Sequence, residues 1–147
     1  VARDWSLDID ILDDLKETDI GVLEGLTWDQ VNERYPFVSK EVVQAGRWEL
    51  VEGAETLKER RARARRLIDT VIGRHDNGAV VVLFSHGGIL QHTLSALMGT
   101  DRTWGVEVQN TALFDLTLDT DRWGLDGDAL INPRLWRVNR FNDATHL

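Results

Sequence analysis

The 147-residue chain contains no cysteine. This excludes disulfide staples, thiolate nucleophiles, cysteine-ligated zinc and cysteine-dependent phosphatase chemistry. Positive charge is also scarce, with 17 Lys and Arg against 25 Asp and Glu and a net charge of −8. Such a surface repels nucleic acid and anionic lipid, so neither is an expected partner. An anionic substrate would have to be attracted locally, by its pocket. Long hydrophobic runs are missing too. The longest, around Ala79 to Phe84, is far short of the roughly 20 residues a membrane-crossing helix needs, and no basic stretch leads into an apolar one at the start. A cytoplasmic location is the expectation. Neither a G-x-S-x-G nucleophile elbow nor the Gly-Lys-Ser/Thr of a phosphate-binding loop occurs. The sequence opens on Val1 rather than methionine, inside what reads as a folded segment, and is expected to be a fragment.

What is present reads as one domain over residues 1–147. Leu7, Ile9 and Ile11 alternate with Asp8 and Asp10, the period of a half-buried strand. A glycine-punctuated loop, LKETDIGVLEGL, follows. TWDQVNERYP predicts a short helix with Thr27 as N-cap and Pro36 as its end, and residues 37–53 read as irregular. From Glu55 a long helix is predicted, with Leu57, Ala64, Ile68 and Val71 on one face, ending at Gly73 and Asn77-Gly78. Its arginines, Arg60, Arg61, Arg63, Arg65 and Arg66, read as a solvated face paired with nearby acids. AVVVLF (79–84) predicts a buried strand, Gly88 to Met98 a helix, Val106 to Leu118 a strand, DTDRWGLDGDAL a turn, and LWRVNRF a last strand. Alternation of strand and helix argues for an α/β fold with a largely parallel sheet.

Two places carry candidate chemistry. His86 stands where a strand feeds a helix, followed by Gly87 and Gly88. Backbone N–H groups and the helix dipole favour an anion there, and glycines let it approach; a structural strand-end histidine is the other reading. Glu17 and Glu24 lie in the glycine-punctuated loop, where a carboxyl group can serve as general acid or simply face water. For metals, His86 and His92 are wrongly spaced for one helix face. The acidic run near 119–130 places Trp123 and Leu130 where calcium ligands belong. Asp8, Asp10, Asp13 and Asp14 read as solvated strand-edge residues. No metal is expected.

In order along the chain stand Leu15-Lys16-Glu17, Gly21, Glu24-Gly25, a helix ending in Tyr35-Pro36, Gly53-Ala54-Glu55-Thr56, Ser85-His86-Gly87-Gly88 and Gln109-Asn110-Thr111, closed by Asn142-Asp143-Ala144-Thr145-His146-Leu147. From about Leu7 onward this order resembles the histidine phosphatase superfamily, the phosphoglycerate mutase-like group. The resemblance implies a three-layer α/β/α sandwich with a mostly parallel central sheet, from which this chain lacks the amino-terminal strand and helix. It implies phosphoryl transfer through a phosphohistidine. His86 corresponds to the histidine that stabilises the transferring phosphoryl group, and Glu17 to the acid that protonates the leaving oxygen and then activates water. Gly87 and Asn110 would be phosphate-binding contacts, and Glu24 a loop-packing residue. No cofactor is implied.

The family's nucleophilic histidine lies in an Arg-His-Gly motif, which occurs nowhere in this chain. Its second arginine motif is absent as well, and Arg3, in VARDW, does not match it. The nucleophile is therefore expected from a preceding portion or a separate chain, and residues 1–147 alone are expected to be inactive and prone to aggregate. Residues 26–54 would form a cap, in which Trp28, Tyr35, Phe37, Arg47 and Trp48 either read the substrate or pack as core. Only 69 positions separate Glu17 from His86, which favours a phosphatase acting on a small phosphorylated metabolite over a mutase with its longer insertion. The alternatives are a mutase-type phosphoryl transferase and a catalytically dead interaction domain. A homodimer is compatible with the sequence.

Overall fold

A computed structural model of the chain describes residues 7–103, 105–123 and 136–147. Arg3, the 124–130 part of the acidic turn and Leu135 lie outside them. Among the described residues four α-helices and one two-stranded sheet are formed: α1 (Trp28–Arg34), α2 (Pro36–Ala45), α3 (Leu57–Arg74), α4 (Gly87–Leu97), β1 (Leu113–Leu118) and β2 (Trp136–Asp143).

The helix starts follow from local chemistry. The Thr27 hydroxyl accepts the Gln30 N–H while the Gln30 side chain accepts the Thr27 N–H, a reciprocal cap on α1. Thr56 and Glu59 repeat the device at α3. Pro36 ends α1, because it forces Tyr35 out of helical geometry. The same proline, needing no N–H partner, opens α2 at its first position. The expected irregular stretch 37–53 is thus corrected: α2 runs to Gly46, which caps it at φ 63, and a 3-10 turn follows at Trp48–Leu50.

The core has two parts. Leu23, Val31, Val42 and Val51 form one cluster, with Ile20, Leu26, Tyr35, Val38, Trp48 and Ala54 packed around them. Ala64, Leu67 and Ile68 of α3 and Ile89, Leu94 and Leu97 of α4 are buried where these helices meet. Leu57, expected on the buried face, is 46% exposed, and Gly73 lies inside α3 rather than ending it.

The expected parallel central sheet is not found among the described residues. β1 and β2 pair antiparallel, with Leu116 opposite Val138 and Leu118 opposite Trp136. Phe114 and Phe141 meet edge to face at 5.1 Å. β1 covers only the end of the expected 106–118 strand. Residues 7–11 and 79–84 form no strand. A strand exists through its ladder, and neither segment has a partner among the described residues. Their apolar side chains consequently face water, Ile11 at 89%, Val80 at 91% and Phe84 at 80% exposure.

Candidate functional site

The site forms at the head of α4. His86 is the N-cap, with extended backbone (φ −126, ψ 160), an exposed ring that makes no capping bond, and a carbonyl that accepts the Leu90 N–H at 3.0 Å. With no capping side chain of its own, the helix leaves its first N–H groups free for another acceptor. Glu17 supplies it. One carboxylate oxygen accepts the Gly88 N–H at 3.2 Å, and the other accepts Ile89 N–H at 3.2 Å and Thr18 N–H at 2.7 Å. The carboxylate lies on the positive end of the helix dipole, which favours negative charge.

Gly88 is required by that approach. A Cβ there would run into Glu17 Oε1 and stand 2.9 Å from Thr18 Oγ1. Gly87 faces residues 106–110: a Cβ on it would lie 3.6 Å from Val108 Cβ, and Gln91 on the next turn donates to the Val106 carbonyl at 3.2 Å. Asn110 itself is exposed, in a turn closed by Ala112 N–H donating to the Gln109 carbonyl. That turn is tied to the carboxyl-terminal segment through Gln109–Asn142 and Thr111–His146. Glu17, His86 and Gly87 are brought together, whereas Asn110 makes no hydrogen bond to Glu17 or His86 among the described residues.

Glu17 sits in a loop after a 3-10 turn at Asp13–Leu15. The Ser85 hydroxyl donates to the Leu15 carbonyl at 2.9 Å, joining that loop to the segment leading into α4. On its other side lies α3. Arg63, only 9% exposed, donates to the carbonyls of Asp14 (3.1 Å), Lys16 (2.7 Å) and Glu17 (3.5 Å), and pairs with both Glu55 oxygens (2.7 and 2.5 Å). Glu55 hydrogen-bonding and charge hold Arg63 still more firmly in its charged form. Arg60 is buried as well, 5.8 Å over the Trp48 ring, with Nε and Nη2 unpartnered among the described residues, and burial pulls its pKa down. His92 of α4 is buried, with Nδ1 unpartnered among the described residues; burial, reinforced by the charge of Arg60, lowers its pKa.

The expectation that the arginines form a solvated face is therefore wrong for Arg60 and Arg63. The signal was present: Arg60, Arg63, Ala64 and Leu67 fall three and four residues apart, on the stripe that α3 buries. Arg61, Arg65 and Arg66 do reach outward, toward Asp101 and Asp14.

Glu24 closes its own loop, its side chain accepting the Ile20 N–H at 3.2 Å. Gly21, at φ 58, is packed against the 52–54 backbone so closely that any Cβ would collide with it. Within residues 26–54, Tyr35 and Trp48 join the apolar cluster, while Trp28 and Phe37 are 53% and 67% exposed. Arg47 is engaged by Glu41 and Glu49. Among the described residues no three His, Asp or Glu side chains gather as a metal site would, and no helix is long and apolar enough to cross a membrane.

The Glu17 carboxylate is thus docked on the N–H groups two and three residues past the His86 N-cap. The family described as histidine phosphatase superfamily (branch 1) matches residues 1–128 of the sequence. No curated protein matches the chain.

Proposed function

The chain belongs to the histidine phosphatase superfamily, branch 1, and we propose that it is the part of a phosphomonoester hydrolase that carries the general acid, Glu17, and the phosphate-stabilising histidine, His86. The observation that supports this most is the docking of the Glu17 carboxylate on the Gly88 and Ile89 N–H groups, two and three residues past His86. It fixes a carboxyl group able to give and take a proton close to His86 in the chain.

In this reading the nucleophilic histidine comes from outside residues 1–147, on an adjoining segment or a separate chain. Its ring nitrogen forms the bond to phosphorus as the ester oxygen leaves with a proton from Glu17. Water then attacks the phosphohistidine, Glu17 takes the proton, the nitrogen–phosphorus bond breaks and inorganic phosphate departs. His86 meets the charge that builds on the phosphoryl oxygens, with Gly87 leaving room for them and Asn110 at the rim. The substrate is a small phosphorylated metabolite under the 26–54 cap, where Trp28 and Phe37 are the exposed aromatics. The central parallel sheet completes when a strand bearing the nucleophile pairs beside 79–84. The exposure of Val80, Val82 and Phe84 supports that pairing.

The test is to assay the protein that unites residues 1–147 with an Arg-His-Gly segment on p-nitrophenyl phosphate. Release of inorganic phosphate with a trapped phosphohistidine supports the hydrolase. Preferential transfer to a second hydroxyl identifies a mutase, and neither activity identifies an interaction domain.

A further inference from the structure

We infer that Arg63, locked to Glu55, is the positioning residue that sets Glu17 on the head of α4. The positional claim stands on geometry, and its catalytic meaning rests on the phosphatase reading. Residues 15–17 have little to fix them from within, since only the three-residue 3-10 turn at Asp13–Leu15 precedes Glu17. A segment without such fixing samples many backbone states. Besides the Ser85 hydroxyl on the Leu15 carbonyl, its hold comes from two helices. From α4, Gly88 and Ile89 bind the Glu17 carboxylate. From α3, one guanidinium takes the carbonyls of Asp14, Lys16 and Glu17.

Only a planar, five-donor fork can span three carbonyls and a carboxylate together; a lysine offers one compact charge. Glu55 completes the arrangement by accepting from Nε and Nη2, which fixes the plane of the fork. Glu55 is itself anchored, because its N–H donates to the Asp19 carbonyl at 2.9 Å. The loop is thereby gripped at both ends of the stretch from Asp14 to Asp19. The chain from Gly53-Ala54-Glu55-Thr56 to Leu15-Lys16-Glu17 is in this way one mechanical unit.

Amide hydrogen exchange of the 147-residue chain tests this without recourse to turnover. Arg63→Lys keeps charge and length but removes the fork. The expected result is exchange of the Gly88 and Ile89 amides faster by about ten- to a hundred-fold, the scale of a lost charge-assisted hydrogen bond, with Leu94 and Ser95 unchanged. In a Glu17→Ala background, Arg63→Lys should add nothing at Gly88 and Ile89. Acceleration spread evenly along α4, or persisting without Glu17, would make Arg63 a brace for helix packing and overturn the inference. No acceleration would overturn it equally. Should Arg63→Lys fail to fold, Glu55→Gln loosens the same fork and is read by the same criteria. A protein without phosphatase activity still gives the exchange result, so failure of one reading is distinct from failure of the other.

Discussion

Placing a methyl group at Gly88 should dislodge Glu17. In an ordinary helix first turn, Gly→Ala stabilises by about 0.4–1 kcal/mol through the unfolded chain. Here the added Cβ would collide with Glu17 Oε1 and stand 2.9 Å from Thr18 Oγ1 and 3.1 Å from Glu17 Cδ. The carboxylate must withdraw, and the bonds to Gly88 and Ile89 N–H go with it. Hydrogen bonds to a charged acceptor contribute about 1.5–3 kcal/mol each. Water can reach the Gly88 N–H, so the low end applies, and the net loss is about 1–3 kcal/mol after the alanine gain. Urea denaturation of wild type, Gly88→Ala, Glu17→Ala and the double variant measures it as a cycle. With Glu17 absent the methyl group has room, so Gly88→Ala should cost far less there than in wild type. A Gly88→Ala variant as stable as wild type, or a cost that persists without Glu17, would refute the placement.

Two more outcomes follow from buried and from exposed groups. His92, facing Arg60, Arg61, Arg63 and Glu55, has a native pKa below its ordinary 6.5. The unfolded chain therefore binds the proton that the native state refuses, and stability is full above about pH 6.5 and declines as pH falls below it. Thermal melts should show Tm dropping on acidification and His92→Gln reducing the drop; an unaltered pH dependence in the variant would contradict this. The water-facing Val80, Val82 and Phe84 should make the isolated chain self-associate. Val82→Thr with Phe84→Ser should reduce association in sedimentation experiments while changing stability by less than about 0.5 kcal/mol; a monomeric wild-type chain with a sharp, high-temperature melt would refute it.

Local signals in the sequence translated well where the deciding interactions are local. Thr27 acts as a cap because its partner lies three residues on, and Gly87-Gly88 marks a helix start that accepts a close neighbour. Thr56 caps α3 by the same spacing, so that the helix begins at Leu57, two residues inside the Glu55 start that the apolar pattern alone suggests. Long-range pairing was less legible. Alternation at Leu7–Ile11 and the apolar run at 79–84 state a preference for strand, yet a strand needs a neighbour, and none of the described residues supplies one. In α2, Pro36 and Gly46 carry start and stop signals, and Pro36 both ends α1 and opens α2. The arginine run shows a different limit. Charge suggests solvent, whereas Glu55 and three backbone carbonyls make a buried place for Arg63 that no single-residue preference announces. Glu17 and His86 were legible as types. Their meeting at the α4 head is a tertiary fact.

The central claim is that Glu17 and His86 serve one phosphoryl-transfer site, and the most direct measurement is turnover of a generic phosphomonoester by Glu17→Gln and His86→Ala variants of the protein united with an Arg-His-Gly segment. A positioned general acid contributes about 10²–10⁴-fold, and kcat should fall by that order in Glu17→Gln, with a comparable loss in His86→Ala. Turnover unchanged in both variants would contradict the account.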